Sequence, residues 1–195
     1  MDINIDALKE EYIKKLKDEL GIEKKVVFGE GAKNAKIMLI GEAPGRFEEK
    51  IGRPFVGQAG KNLDEFLNIL GLNRDDLYIT NVVKFRPTKK DAKTQRLSNR
   101  APNKKEIELS KEFLIKEIEF IKPKIIVTLG NVPLKALLYD KASIGEYHGK
   151  LVNLDNKKIF PLYHPASIIY NRSLYDVYLE DLKKLRKVLE GEEYI

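Results

Sequence analysis

Four apolar runs constrain the fold of this chain more than any other feature: "KIMLIG" at 36–41, "DLYITNVV" at 76–83, "KIIVTLG" at 124–130 and "KIFPLYH" at 158–164. All four are nearly continuous in apolar residues. A strand with one wet face alternates with period two, so a near-continuous apolar strand is covered on both faces. The stretches between the runs carry apolar residues at helical spacing. Residues 3–20 place Ile5, Leu8, Tyr12, Leu16 and Leu20 on one helix face and stop at Gly21. Helices are also expected at 59–70, from Pro102 to about Ile121, at 133–138 and over about 173–190. A short strand, "KVVF", precedes a "GEGAKNA" turn. Strands alternating with helices make a parallel sheet with helices on both sides. The expected class is therefore α/β, with three α/β/α layers around a mostly parallel sheet of about four strands. Residues 1–195 read as one domain, with an N-terminal helical segment (1–25) and a basic inserted loop (85–102).

The chain contains no Cys, and its two His residues are His148 and His164. This excludes disulfides, thiolate nucleophiles, zinc fingers and cysteine-held iron–sulfur clusters. No metal site is expected, and chemistry must come from carboxylates, a histidine, amides and backbone groups. No apolar run approaches the roughly 18 residues of a membrane span. The charged start "MDINIDALKEEYIKKLKDEL" lacks a signal-peptide core, so a cytoplasmic location is expected. The net charge of +6 leans toward polyanionic partners. Lys and Arg dominate residues 84–105, "KFRPTKKDAKTQRLSNRAPNKK", against a single Asp. Such a segment reads as a mobile basic loop that touches phosphates.

"GEAPGRFEEKIGRPFVGQAG", residues 41–60, sits between the first strand and a helix, as nucleotide-binding loops do. It satisfies neither phosphate rule. Around Gly60-Lys61, Phe55 and Asn62 occupy positions where a P-loop needs Gly and Ser or Thr, and Ala43 breaks the dinucleotide pattern. In a parallel sheet the ligand lies beyond the carboxyl ends of the strands. Those ends deliver Gly41-Glu42-Ala43-Pro44-Gly45, Asn81, Gly130-Asn131 and His164-Pro165. A carboxylate, an amide and a histidine thus converge on one crevice, with Phe55 nearby. An Asn amide matches the N3–H and O4 edge of uracil. A Phe face can stack on a base. A His N–H can stabilise charge on a carbonyl oxygen, and a carboxylate can orient water or stabilise a sugar cation. The set suits cleavage of an N-glycosidic bond to an extruded base.

"GEAPGRFEEKIGRPFVGQAG", "ITNVVKFRP", "KPKIIVTLG" and "YHPASII" resemble the signature stretches of family 4 uracil-DNA glycosylases, in register from about Val26 to the closing helix. The resemblance implies a Rossmann-like domain that excises uracil from single- and double-stranded DNA and leaves an abasic site. It implies that Glu42 and Ala43 line the uracil pocket and that Glu48 positions or activates the attacking water. Phe55 would stack on uracil, Asn81 would read its N3–H and O4 edge, and His164 would hydrogen-bond O2 and stabilise the departing anion. Asn99, in "SNRAP", matches an Asn that aids catalysis. Toward DNA the resemblance and the charge together assign Gly45, Arg86, Lys89, Lys90, Arg96, Arg100, Pro165 and Ile168, with Ile168 filling the gap left by the flipped base.

The chain departs from that family in one respect. Most members hold a four-iron cluster with four Cys. Here Phe85 and Ser110 stand at two of the ligand positions, and the two expected near residues 10–25 are missing. The expectation is that no cofactor is present and that packing, including Phe85, replaces the cluster. The inserted loop also lacks the His by which a related group links to the abasic sugar, which favours ordinary turnover. Three readings stay open: a monomeric, monofunctional uracil-DNA glycosylase, a glycosylase for another deaminated base such as hypoxanthine, and a non-catalytic DNA-binding relative. The intact set Glu42, Glu48, Phe55, Asn81 and His164 favours the first.

Overall fold

A computed structural model describes residues 4–154, 157–171 and 173–194, with the backbone alone for Ile169 and Tyr170. In chain order, α1 (Ile5–Leu20) leads to β1 (Glu30–Gly31), β2 (Ile37–Gly41), α2 (Arg46–Ile51) and α3 (Gln58–Leu70). After a 3-10 turn, β3 (Leu77–Asn81) is followed by a hairpin of β4 (Thr88–Lys90) and β5 (Leu97–Asn99), and then α4 (Lys104–Ile121). The chain continues through β6 (Ile125–Leu129), α5 (Asn131–Leu137), α6 (Ile144–Tyr147), β7 (Val152–Leu154), β8 (Lys157–Leu162), α7 (Pro165–Tyr170) and α8 (Leu174–Gly191). Residue 3, expected to open the first helix, lies outside the described residues. Asn4 caps that helix instead, its side chain accepting the Asp6 N–H at 2.9 Å.

The main sheet has six strands in the order β1-β3-β2-β6-β8-β7, two more than expected. Its four inner strands are parallel and are the four apolar runs. The additions are short antiparallel edges, β1 against β3 and β7 against β8. Strand β1 is two residues within the expected turn, and β7 is the half-polar "VNL". Neither carries an apolar run, because an edge strand needs little burial. In "KVVF", Val26, Val27 and Phe28 are buried but form no strand; Val26 pairs with Phe85 in an isolated antiparallel bridge. The basic loop also differs from the expected irregular segment, since β4 and β5 pair antiparallel within it.

Strand β2 sets the layers. Ile37 and Leu39 pack with α3 and α8 on one side, where Phe66 stacks on Tyr178 with centroids 4.1 Å apart. Met38 and Ile40 pack with α1 and α4 on the other. Pro102 does not open α4. Asn103 caps it, accepting from Glu106 N–H at 3.0 Å, while the Glu106 carboxylate accepts from Asn103 N–H at 2.8 Å. Among the described residues no helix is long and apolar enough to cross a membrane.

Candidate active site

The parallel strands end together, and Gly41 at the end of β2 is in register with Asn81 at the end of β3. Beyond these ends lies a cavity of about 360 Å³ lined by Ala43, Gly45, Glu48, Phe55, Asn81, Asn99 and His164, among others. A second recess of about 190 Å³ shares Ala43, Gly45, Asn99 and His164 and adds Glu42, Pro87 and Arg100. The structure thus brings the expected pocket residues together, with Glu42 in the adjoining recess. Asn131, the other strand-end amide, accepts the Ile144 N–H at 2.9 Å and is spent on α6.

Asn81 is buried, and among the described residues its side-chain amide makes no hydrogen bond within the protein. The amide atoms themselves are not sealed off: they open on the cavity, free to pair with a ligand or water there. Gly41 makes room for it: a methyl there would lie 2.4 Å from Asn81 Oδ1 and 2.5 Å from Phe55 Cζ. The Phe55 ring stacks on the His164 ring, with centroids 5.9 Å apart and planes inclined by 26°.

Phe55 adopts a φ of +53°, a conformation unfavourable for a bulky residue. Two neighbours hold it there. Arg74 Nη2 donates to the Phe55 carbonyl at 2.6 Å. Gly60 approaches the same carbonyl so closely that a Cβ would lie 1.9 Å from its oxygen. This is why "QAGKN" carries a Gly inside α3. Gly60→Ala is expected to destabilise the protein by about 1–3 kcal/mol, as overpacking against backbone does. Urea denaturation measures this. A variant as stable as the parent would mean that Phe55 can move freely.

Glu48 is not on a solvated turn. It lies in the first turn of α2, 9% exposed. Its Oε2 accepts the Gly45 N–H at 3.1 Å, and its Oε1 accepts those of Val56 at 3.1 Å and Gly57 at 2.8 Å. The carboxylate thus ties both ends of the glycine loop while lining the cavity. Sequence reasoning found Glu48 but not this clamp, whose partners are backbone groups with no residue signature.

His164 caps α7, and its Nδ1 accepts the Ala166 N–H at 3.1 Å. An accepting Nδ1 leaves the ring proton on Nε2. Burial pushes the imidazole down to about 4, against the opposing pull of the Glu48 charge, so the ring is neutral at pH 7. Burial also raises the Glu42 carboxyl above its ordinary value. Asn62, missed in the sequence, fastens the His-Pro turn by donating from Nδ2 to the Pro165 carbonyl at 3.0 Å.

The residues expected on DNA divide into two groups. Lys89, Lys90 and Arg96 are exposed on the hairpin. Arg86 is buried, donating from Nε to Asn99 Oδ1 at 2.7 Å and from Nη1 to Glu49 at 3.2 Å. That contact turns the Asn99 Nδ2 away from Arg86. Arg100 is bidentate to Glu106, at 2.7 and 2.6 Å. Gly45 spends its N–H on Glu48. Pro165 is buried, and Ile168 belongs to the core against α3 and α8, so neither projects toward solvent.

The four-iron cluster does not fit this chain, which offers no thiolate. Ser110 nevertheless meets Tyr12, and Phe85 is buried in the same hydrophobic cluster as Tyr12. The Tyr12 hydroxyl lies 2.7 Å from Ser110 Oγ and accepts the Lys84 N–H at 3.2 Å, and its ring packs edge-on to Phe113. All of these side chains are fully or almost fully buried. Among the described residues no cluster of three or more His, Asp or Glu side chains is arranged to hold a metal ion.

The model of the uracil DNA glycosylase superfamily matches residues 28–189. A type-4 uracil-DNA glycosylase of Sulfurisphaera tokodaii is 40% identical over 198 residues, covering 95% of this chain and 84% of the relative. That of Saccharolobus solfataricus is 41% identical, covering 97% and 88%. That of Thermotoga maritima is 40% identical, covering 86% and 84%. With this match over most of its length, and with the strand-end pocket described above, the chain belongs to the uracil-DNA glycosylase superfamily.

Proposed function

We propose that this chain is a monofunctional uracil-DNA glycosylase. It would hydrolyse the bond between uracil N1 and the deoxyribose C1′ of an extruded nucleotide, leaving an abasic site for base excision repair. The observation that carries the reading is the unspent amide of Asn81, open to the cavity that it shares with the Phe55 ring and a neutral His164. The amide offers an acceptor to N3–H and a donor to O4, a pairing that uracil satisfies. Phe55 supplies a stacking face.

As the glycosidic bond breaks, its electron pair passes to the uracil ring and charge gathers on O2. His164, with its proton on Nε2, donates a hydrogen bond there without transferring the proton. The sugar left behind has cation character, and water adds at C1′ from the opposite side. Glu42 is the better carboxylate to orient that water and receive its proton. Glu48 already accepts three backbone N–H groups, while Glu42 sits in the adjoining recess with a raised pKa. Asn99, its amide fixed by Arg86, lines the junction of the two recesses. Lys89, Lys90 and Arg96 would contact phosphates, so affinity should fall steeply with salt. The reaction as written uses no cofactor, and the chain would act as a monomer.

The test is base release from an oligonucleotide with one uracil, in EDTA, read as strand breaks after alkali. Release by the parent and its collapse in Asn81→Ala, with DNA still bound by the variant, are expected. Bound DNA without release by the parent would sink the reading, and a hypoxanthine substrate would then decide between another base and a binding module.

A further inference from the structure

Extruding a nucleotide strips the neighbouring base of its stacking partner, and the protein must cover that freed face or leave it wet. Ile168, expected to do so, is in the core. Phe55 is 5% exposed and faces the pocket. Phe47, in contrast, lines the cavity and is 59% exposed. One exposed Phe is ordinary. Ile51, one helical turn further along α2, is also 54% exposed, so the apolar surface continues away from the pocket rim. The helix beneath is firmly held, by the Glu48 clamp and by Lys25 Nζ donating to the Lys50 carbonyl at 2.8 Å. The adjacent Arg46 is exposed and supplies positive charge at the same rim.

We propose that Phe47 is a stacking platform for the nucleobase next to the extruded one, so that α2 grips the DNA strand outside the pocket. The inference rests on the reading of the cavity as a site for an extruded base. A rigid aromatic face suits any base, because every base offers a π-face, so the contact would add affinity and hold the strand without selecting sequence. It would also let base and phosphate be met together, with Phe47 on the ring and Arg46 on the backbone.

The chain has no Trp, so Phe47→Trp introduces a single indole. Its emission is followed while adding a single-stranded oligonucleotide with a tetrahydrofuran abasic analogue, labelled so that anisotropy reports binding. Quenching with the same midpoint as the anisotropy change is expected, and unquenched emission at saturating DNA overturns the proposal. In base release, Phe47→Ala is expected to lower kcat/KM by roughly tenfold, from loss of one stacked base. Most of the loss should fall in KM, and Phe47→Tyr should restore most of it. A kcat/KM for Phe47→Ala equal to that of the parent overturns the proposal, and so does a dimer in sedimentation that this variant dissolves, because a second copy would then occupy the face. If the parent releases no uracil, the reading of the cavity fails. If it does and Phe47→Ala is unaffected, Phe47 alone is misassigned.

Discussion

Replacing His164 by Ala is expected to lower the single-turnover rate of uracil release about 10²- to 10³-fold, the usual effect of removing one donor at a developing oxyanion. DNA affinity should change little, because the phosphate contacts lie elsewhere. The pH dependence separates this role from simple packing. Burial lowers the imidazole to about 4 from an ordinary 6.5. Above 6.5 the ring is neutral in both folded and unfolded chains, so its protonation does not affect stability. As pH falls from 6.5 toward 4, the unfolded chain takes up the proton first and stability drops. Below about 4 the folded ring is protonated too, placing a proton on Nδ1 against the Ala166 N–H and breaking the tautomer. The His164 contribution to the rate should therefore be level from about pH 5 to 8, where the folded ring stays neutral. The loss of stability between pH 6.5 and 4 should be smaller in His164→Ala. A ratio of parent to His164→Ala rates that rises through a value near 6.5 would mean that the ring ionises freely and that the buried, neutral donor is the wrong description, whereas a rise shared by both proteins would belong to another group such as Glu42.

The inner sheet was legible because each parallel strand is buried on both faces, which leaves a long apolar run. The strand-end residues were legible for a related reason: once the sheet is parallel, its carboxyl edge gathers Glu42, Asn81 and His164 whatever the loops do. Less legible was whatever depends on backbone partners or on distance along the chain. Glu48 reads as one more Glu in "FEEK", yet its partners are the N–H groups of Gly45, Val56 and Gly57. Arg74 carries no motif, yet it fixes Phe55 through a carbonyl. Arg86 counts toward a basic segment by composition, but the fold buries it beneath Asn99, and charge runs say nothing about which member turns inward. One signal was there to be read. Glu117 lies on the same stripe of α4 as Phe113, Leu114, Ile118 and Ile121, and a carboxylate on an apolar stripe requires a buried cation.

That cation is Lys84, and breaking its pair with Glu117 should have the largest effect on stability. Both side chains are fully buried. Besides Glu117, Lys84 Nζ donates to Thr80 Oγ1 at 2.8 Å and to the Asn81 carbonyl at 2.5 Å. Glu117 also accepts from the Tyr78 hydroxyl at 3.1 Å, from Thr80 Oγ1 at 3.1 Å and from the Gly29 N–H at 3.2 Å. Lys84→Met leaves a buried carboxylate without its cation, and a loss of about 3–5 kcal/mol is expected in urea denaturation. The double variant Lys84→Met/Glu117→Gln removes both charges while the Gln Oε1 keeps an acceptor for the Tyr78 hydroxyl and the Gly29 N–H, and it should recover much of that loss, since two buried charges are costly to desolvate. A single variant that costs less than about 1 kcal/mol would place the pair among interactions that solvent screens, contrary to its burial. The double variant also separates stability from catalysis. Lys84 reaches the backbone of Asn81, the residue that presents its amide to the pocket, and its own N–H donates to Tyr12, whose hydroxyl also meets Ser110. If this network sets the position of Asn81 as well as holding the sheet edge, the double variant will be stable yet slow. If the strand ladder from β2 suffices to place Asn81, stability and rate will recover together.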